Sequence, residues 1–387
     1  MDKTARKPYR KHNSFVELRH KHADAGKLAR ERIAAASKRT DLRAGLTPTH
    51  REIFDQAIAD ILSEAPGSGE PRFGLSPNVI EEINVIDDEA LPRYLVHRYR
   101  YEIFPQQLRV DDFPPYLQIE PSSVCNYRCV FCYETDKTFT RKSAGYMGHM
   151  TLATFRRVVD QAEGRVEFIS LASRGEPLLC RDIVTMLAYT RGKFLNLKMN
   201  TNASLLDEEK SHAILQSGIQ TLVFSADAAT EPLYSKLRVG GSLEKVVANI
   251  ERFKRIRETD YPDSTIITRV SGVKMSGEQN LDAMHGLWGS LVDQVAFVEY
   301  NPWENTYLQP VNDIATPCSD LWRRMFVWWD GKVNPCDTDY KSTLSVGSLG
   351  ETGLSDLWTG PAYTELRRRH LERRRHEQFP CNRCTVT

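Results

Sequence analysis

The stretch YLQIEPSSVCNYRCVFC, residues 116–132, decides the fold of this 387-residue chain. It opens with a short β-prone run and closes on three cysteines, Cys125, Cys129 and Cys132, spaced C-x3-C-x2-C. Three thiolates on one tight loop can hold three irons of a 4Fe–4S cluster and leave the fourth iron without a protein ligand. A zinc site or a set of buried thiols is the alternative, but structural zinc prefers four ligands and this loop offers three. The loop therefore indicates a redox-active iron–sulfur site.

Strand and helix patterns alternate from this stretch onward. The predicted strands are the β-prone runs at 116–121, 166–173, 195–202, 221–227, 265–273 and 292–300. Helical patterns lie between them, near 151–163, 181–191, 207–217, 243–257 and 279–290. Consecutive βα units of this kind form right-handed crossovers and a parallel sheet whose strands are covered on both faces. The pattern predicts an α/β fold, a partial (β/α)6 barrel rather than a full eight-fold one, with its site at the C-terminal ends of the strands.

The first 110 residues are predicted to form a basic, mainly helical N-terminal extension. Residues 1–45 hold 13 Lys/Arg against five Asp/Glu, and apolar residues recur at helical spacing over 48–64 and 88–103. A second basic run lies at 367–375. Either run can contact nucleic acid, phosphate or another anionic surface, or can be a solvated helix face. We favour the solvated face, because neither run has the interleaved aromatic residues of a single-strand-binding surface.

The composition predicts a cytoplasmic protein without a membrane partner. No run of 18 or more apolar residues is present, and the polar N-terminus lacks the apolar segment of a secretory signal. Disulfides are disfavoured in a reducing cytoplasm. The eight cysteines therefore point to metal binding or catalysis.

The cysteine loop, with Phe131 before its last cysteine, resembles the signature of the radical S-adenosylmethionine superfamily. The resemblance covers about residues 116–300. The segment SRGEP (173–177) is similar to the family's GGE motif, with an arginine where glycine is usual, and NTN (200–202) and SAD (225–227) are similar to its TNG and S-x-D-G segments. No G-x-I-x-G pattern is evident on the fifth strand, so no adenine contact is assigned. The cofactor contacts that the resemblance implies are Phe131, Gly175, Glu176, Asn202, Ser225 and Arg238.

The resemblance implies a cofactor set and a reaction type. A reduced 4Fe–4S cluster on Cys125, Cys129 and Cys132 is expected to cleave S-adenosylmethionine, and the resulting 5′-deoxyadenosyl radical to abstract hydrogen from a substrate. Such an enzyme needs an electron donor, for example a flavodoxin or a ferredoxin. Glu176 and nearby backbone are expected to bind the methionine ammonium, and Ser225 and Arg238 the ribose and carboxylate.

A second group of cysteines follows the barrel. The Asp330-Gly331 turn between two β-prone arms predicts a hairpin near 325–336, and a helix is predicted over 354–376. The residues 306–387 resemble the twitch, or shortened SPASM, domain that follows the barrel, residues 111–305, in some members of this superfamily. The resemblance implies an auxiliary 4Fe–4S cluster, and structural zinc is the alternative. The predicted ligands are Cys318, Cys336, Cys381 and Cys384.

Cys180 lies outside both cysteine groups. It can be a hydrogen-atom donor of the kind an epimerase needs, or a small buried hydrophobe, which we favour. Trp303, Trp322, Trp328 and Trp329 can line a substrate pocket, although core packing is favoured.

The substrate is the least constrained feature. We expect a small molecule, a sugar or sugar-nucleotide that is dehydrogenated, epimerised or dehydrated. Modification of a ribosomally made peptide is one alternative, although the winged-helix pattern of many such enzymes is not clear in the first 110 residues. RNA modification, with the basic arm as a tether, and a non-catalytic metal-binding scaffold are the others.

Overall fold

One mixed sheet organises the chain in the computed structural model. The structure describes residues 8–9, 24–63, 69, 71–350 and 352–387, and the backbone of the strand at 15–20. Within these residues the sheet has ten strands in the order β1-β9-β8-β6-β5-β4-β2-β10-β11-β12, and β3 and β7 form a separate ladder. The strands are β1 (Phe15–His20), β2 (Tyr116–Ile119), β3 (Arg128–Cys129), β4 (Phe168–Leu171), β5 (Asn196–Thr201), β6 (Ile219–Ser225), β7 (Arg238–Val239), β8 (Ile267–Lys274), β9 (Gln294–Glu299), β10 (Arg324–Val327), β11 (Lys332–Asn334) and β12 (Gly347–Ser348).

The predicted partial α/β barrel is confirmed. Strands β2, β4, β5, β6, β8 and β9 are parallel neighbours in that order, and each lies within a predicted run or within two residues of it. In the described chain the sheet stays open, with β1 and β12 at its edges. The helices are α1 (Ala25–Ser37), α2 (Pro48–Leu62), α3 (Pro77–Val85), α4 (Leu91–Glu102), α5 (Lys137–Thr140), α6 (Leu152–Ala162), α7 (Ile183–Thr190), α8 (Glu208–Gln216), α9 (Glu231–Leu237), α10 (Leu243–Asp260), α11 (Leu281–Trp288), α12 (Leu354–Thr359) and α13 (Pro361–Leu371).

The two faces of the barrel strands differ in polarity. On β5, Leu197 and Met199 are buried in the hydrophobic core beneath the barrel helices. Lys198 and Asn200 alternate with them and line a cavity inside the barrel. The sequence predicts strands that are mostly covered on both faces, but on β5 the inward face is polar and only half-buried, because side chains that alternate across a strand place its polar residues in the lumen.

The N-terminal extension is helical but also contributes a strand. Helices α1 to α4 enclose a second hydrophobic core that contacts the barrel at Phe168. Strand β1 pairs antiparallel with β9 inside the segment expected to be helical, because the exposed edge of β9 offers unpaired backbone groups to an extended segment. Basic side chains of the arm are ion-paired, for instance Arg43 with Asp55 at 2.8 Å. The part of the predicted arm at residues 1–7, 10–14 and 21–23 lies outside the described residues.

The C-terminal segment joins the barrel rather than standing apart. Strand β10 pairs in parallel with β2 and antiparallel with β11 across the predicted Asp330-Gly331 turn. The single predicted helix over 354–376 is two helices, α12 and α13, because Pro361 lacks the N–H that would continue α12.

The basic run at 367–375 is only in part the solvated helix face that the sequence favours: Arg368 and Arg373 are exposed. Arg367 and Arg375 are buried, and each donates to backbone carbonyls, with Leu321 O 2.9 Å from Arg367 Nε and Cys384 O 2.7 Å from Arg375 Nη2. Arg368 and Arg374 form ion pairs with neighbouring carboxylates.

Along the described stretches, no helix has the length and apolarity to cross a bilayer.

Candidate functional site

A cavity of about 410 Å³ lies at the C-terminal ends of the barrel strands. Its lining includes the three cysteines of the loop after β2, Cys125, Cys129 and Cys132. The structure also brings to this cavity all six residues that the family resemblance implies as cofactor contacts. These are Phe131, Gly175, Glu176, Asn202, Ser225 and Arg238.

The cysteine loop is held by the short ladder between β3 and β7. Cys129 lies opposite Arg238 in this ladder, and Val130 N donates to Leu237 O at 3.0 Å. Three donors of the described residues point at the sulfurs. Tyr127 N lies 3.4 Å and Asn202 Nδ2 lies 4.0 Å from Cys125 Sγ, and Arg238 Nη1 lies 3.7 Å from Cys129 Sγ. Hydrogen bonds to sulfur stabilise thiolates and tune the potential of an iron–sulfur cluster.

Burial also sets the chemistry of these thiols. It raises the pKa of Cys125 to about 12, and it raises the pKa of Cys132 well above the ordinary value of a thiol. Bound iron would supply the positive charge that lets such sulfurs deprotonate. The donor set therefore fits a cluster held by three cysteines.

Glu176 connects three segments around the cavity. Its buried carboxylate accepts hydrogen bonds from Thr201 Oγ1 at 2.7 Å, Asn202 N at 2.7 Å and Leu178 N at 3.1 Å. Its backbone N–H donates to Val124 O at 2.9 Å. Burial raises its pKa, against the effect of these hydrogen bonds. A carboxylate offers about four acceptor positions, so one stays available to an ammonium group.

Arg238 is held by an acidic residue to which the sequence did not assign a role. Arg238 Nε lies 2.5 Å from Asp227 Oδ2, and both side chains are buried. Val273 N donates to Asp227 Oδ1 at 2.6 Å, which fixes the carboxylate. The guanidinium lies 5.7 Å from the ring centroid of Phe131. Asp227 belongs to the SAD segment, so the motif contained the signal that could have identified this pair.

Arg174, the departure from the GGE pattern, has a structural partner. Its guanidinium contacts Glu120 through two oxygens, with Nε–Oε2 at 2.7 Å and Nη2–Oε1 at 2.5 Å. Nη1 donates to Tyr340 O at 2.8 Å, and the guanidinium stacks 4.1 Å from the Trp328 ring centroid. Tyr340 and Trp328 both follow β9, so Arg174 links the second barrel strand to the C-terminal segment.

The second cysteine group forms its own small site. Cys318, Cys336, Cys381 and Cys384 line a cavity of about 30 Å³. Val386 N lies 3.4 Å from Cys384 Sγ, and burial raises the pKa of Cys318 to about 11. Four half-buried cysteines line one cavity, and at least one of their sulfurs has a backbone donor. Four cysteine ligands are the number that a 4Fe–4S cluster without an open iron requires.

The structure does not bring Cys180 to either site. It is buried in the hydrophobic core, where its Sγ lies 3.8 Å from Met150 O and 3.9 Å from Met186 Sδ. This position disfavours the predicted role as a hydrogen-atom donor. Of the four tryptophans considered, Trp303 lines the site cavity, whereas Trp322 and Trp328 are fully buried.

A second, deeper cavity of about 630 Å³ adjoins the first inside the barrel. Lys198, Asn200 and Ser271 line both cavities. Residues of α3 and α4, among them Glu82 and Arg98, line the deeper one. Our sequence reasoning did not identify these lumen residues. The alternation of polar and apolar residues in NLKMNT, residues 196–201, was the available signal.

Two family descriptions match the chain. Residues 119–268 match the Radical SAM superfamily, and residues 318–385 match SPASM, an iron-sulfur cluster-binding domain.

Curated relatives are distant. The GTP 3',8-cyclase of Clostridium botulinum (strain Okra / Type B1) is 26% identical over 247 residues, 61% of this chain and 70% of the relative. The S-adenosyl-L-methionine-dependent 2-deoxy-scyllo-inosamine dehydrogenase of Niallia circulans is 22% identical over 279 residues, 69% of this chain and 91% of the relative. Among solved structures, Streptococcus suis SuiB bound to precursor peptide SuiA has a TM-score of 0.52 at 16% identity, and the match covers 88% of this chain and 83% of that one.

Proposed function

The chain belongs to the radical S-adenosylmethionine superfamily, in its SPASM/twitch-containing subgroup, and from this membership we propose that it dehydrogenates a sugar or a sugar-nucleotide. It is an enzyme that uses 4Fe–4S clusters and S-adenosylmethionine. When bound, these cofactors supply a 5′-deoxyadenosyl radical that abstracts a hydrogen atom from carbon. The proposed ligands are Cys125, Cys129 and Cys132 for one cluster. The four C-terminal cysteines are the proposed ligands of the other.

The polar lumen carries the proposal for a carbohydrate. Gln118, Ser170, Asn200 and Ser271, from four different strands, line the same cavity as the cysteine loop. A hydroxyl-rich ring needs several hydrogen-bond partners at fixed positions, and rigid strands hold such partners in place. The similarity to a relative named as a dehydrogenase of 2-deoxy-scyllo-inosamine, a small hydroxylated ring, supports the same substrate class.

The position of Cys180 favours dehydrogenation over epimerisation. An epimerase returns a hydrogen atom to its substrate from a donor beside the ring, and Cys180 lies in the hydrophobic core instead. The second cysteine group offers a further redox site, as an oxidation requires.

We also propose that an external flavodoxin or ferredoxin supplies the electron, and that the enzyme works in the cytoplasm, where reducing conditions protect clusters.

Deuterium transfer tests the proposed function. The reconstituted enzyme is incubated without oxygen with dithionite, S-adenosylmethionine and sugars or sugar-nucleotides deuterated at carbon. We expect deuterium in 5′-deoxyadenosine and a product two mass units lighter than the unlabelled substrate. Cys125→Ala should abolish cleavage, and Cys180→Ala, the matched cysteine control, should leave product formation intact. Deuterium transfer from a peptide and from none of the sugars would contradict the proposal.

A further inference from the structure

We propose that Lys198, together with Arg269, binds an anionic group of the substrate, a phosphate or a carboxylate, inside the barrel lumen. The inference deepens the proposed function, because it assigns the carbohydrate a charge and an orientation. Only the identity of the ligand as a carbohydrate rests on the proposed function. Anion binding in the lumen is argued independently, from the contacts of the lumen residues.

Lys198 lies in the middle of the barrel wall and faces inward. It is level with Ser170 on β4 and Thr221 on β6 in the sheet register, and it lines both lumen cavities. Throughout the stretches that the structure describes, no hydrogen bond or ion pair joins its ammonium to another residue. An ammonium removed from bulk water without a carboxylate partner carries a desolvation penalty, which a bound anion would offset.

The neighbouring charges leave the lumen positive around Lys198. Of the residues that the structure describes, two carboxylates line the deeper cavity, Glu82 and Glu102, and Arg98 lies between them, 3.7 Å from Glu82 and 2.8 Å from Glu102. Arg269 instead donates to neutral oxygens, to Gln294 Oε1 at 2.6 Å and to Asn78 Oδ1 at 2.7 Å. Glu82 attracts both Lys198 and Arg269, and Glu81 attracts Arg269, but neither cation forms an ion pair with a carboxylate of the described residues.

Other charged groups near the lumen do not cancel the positive charge around Lys198. Burial has the largest effect on the pKa of Lys198. The next largest effects come from two cations, Arg269 and Arg324, which lower it, and then from Glu82, which raises it. Arg324 lies 3.3 Å from Asp320 and donates to Tyr101 Oη at 2.8 Å, so it is partly engaged. A flexible ammonium next to a planar guanidinium is a combination that recognises phosphate and carboxylate oxygens.

The location orients the substrate as well as selecting it. Because Lys198 lines both cavities, an anion on its ammonium lies below the cavity that contains Cys125 and Glu176. The hydroxylated ring of the same molecule would then extend toward the cysteine loop, between Asn200 and Ser271. The anchor thus holds a non-reacting part of the substrate, which positions the reacting carbon.

Binding measurements on the reconstituted enzyme test the inference without requiring turnover. Isothermal titration without oxygen compares four probes: glucose, glucose 6-phosphate, glucuronate and UDP-glucose. We expect at least one anionic probe to bind the wild type more tightly than glucose, and Lys198→Met to weaken that binding by about 10- to 100-fold, the range for a hydrogen bond to a charged group. Lys198→Arg should recover part of the affinity. Lys245→Met, at an exposed lysine of α10, is the matched control and should change nothing.

The outcomes separate this inference from the proposed function. Preference for glucose 6-phosphate or UDP-glucose identifies phosphate as the anion, and preference for glucuronate identifies carboxylate; both support the site. A wild type that binds no anionic probe more tightly than glucose overturns it, as does equal binding by Lys198→Met. Because Lys198→Met removes an unpaired cation, the variant should melt no lower than the wild type, and lost affinity cannot then be attributed to misfolding. Anion binding without deuterium transfer from any carbohydrate would sink the proposed function while the anion site stands.

Discussion

Arg174 and Glu120 form a buried ion pair at a position where the family motif usually has glycine. Both side chains are almost fully buried, at 2% and 0% exposure. The pair also holds Tyr340 O through Arg174 Nη1, and Trp329 N donates to Glu120 Oε1 at 3.3 Å. The substitution of glycine by arginine therefore gives this chain a polar connection between the barrel and its C-terminal segment.

Removing one partner of this pair should be more harmful than removing both. We expect Arg174→Met to lower the free energy of unfolding by about 3–5 kcal/mol, because it leaves the Glu120 carboxylate buried without its cation. The double variant Arg174→Met/Glu120→Gln should recover part of this loss. Denaturant unfolding of the three proteins measures the difference, and additive losses in the double variant would contradict the interpretation.

The charge of Lys198 predicts a pH dependence of stability. Burial, with the nearby Arg269 and Arg324, lowers the pKa of Lys198 to about 7, against the opposing effect of Glu82. Below pH 7 the ammonium is charged in both the folded and the unfolded chain, so its burial penalty is fully present. Between pH 7 and 10.5 the folded chain releases this proton and the unfolded chain keeps it, so the wild type gains stability as the pH rises. Lys198→Met should be more stable than the wild type by ~1–3 kcal/mol at pH 6, and the difference should shrink by pH 9. A constant difference would show that Lys198 does not titrate in this range.

The same titration predicts how anions bind. Burial lowers the pKa of Arg269 to about 10, whereas nearby carboxylates and tyrosines raise the pKa of Arg98 and Arg324 above the ordinary value of arginine. Between pH 7 and 9, Lys198 is therefore the cation among the described lumen residues whose charge changes most. Affinity for glucose 6-phosphate should fall as the pH rises from 7 to 9, because the lysine loses its proton. Lys198→Met should bind weakly with a flat pH profile, and a wild-type slope preserved in this variant would contradict the assignment.

At the scale of elements, the loop after β4 fits against the cysteine loop through a glycine. A Cβ on Gly175 would lie 2.5 Å from Val124 O and 2.6 Å from Ser122 O, which are rigid backbone atoms of the loop that follows β2. Glycine is therefore required here for close approach, and not for an unusual backbone dihedral.

This contact predicts a specific defect in cluster binding. Gly175→Ala should displace the loop of Cys125 and lower the iron content by about four atoms, one 4Fe–4S cluster, while the second cluster is retained. Gly286→Ala is the matched control, because Gly286 lies in α11 and its added Cβ would meet no atom within 4 Å. The control should bind full iron and be equally or more stable. Full iron content in Gly175→Ala would show that the loop can adjust.

At the scale of the whole molecule, both ends of the chain complete the barrel. Strand β10 extends the sheet beside β2, and Leu357 and Trp358 of the C-terminal segment belong to the same hydrophobic core as the barrel. Helices α3 and α4 of the N-terminal extension line the deeper end of the lumen. The lumen is thus lined by side chains from all three parts of the chain.

Iron counting tests the two-cluster organisation of the molecule. The wild type should hold about eight irons after reconstitution, in two 4Fe–4S clusters. Cys125→Ala and Cys384→Ala should each hold about four, with loss of S-adenosylmethionine cleavage in the first and uncoupled cleavage without product in the second. Cys180→Ala should keep about eight. Zinc in place of iron would refute the organisation, and equal loss of cleavage in both ligand variants would refute the division of roles.

Much of the barrel could be predicted from local patterns, and the lumen could not. The β-prone runs at 195–202 and 221–227 contain β5 and most of β6, because the residues buried under the barrel helices leave a recognisable apolar signal. The sequence could not predict that Lys198 lines the lumen, since the direction of one side chain matters only after the strands curve around a cavity. Asp227 lies in the SAD segment, but its ion pair with Arg238 could not be predicted, because a turn and helix α9 separate the two residues along the chain.

The sequence by itself determined the cysteine spacing, the βα alternation and hence the radical S-adenosylmethionine family, because these features depend on ligand type and on periodicity along the chain. The tertiary structure decided which side chains surround the cysteines and line the lumen. It placed Arg174 against Glu120, moved Cys180 into the core and left Lys198 facing the lumen without a counter-ion among the described residues. These outcomes depend on which distant segments meet, and burial changes the energy of a charge only once that packing exists.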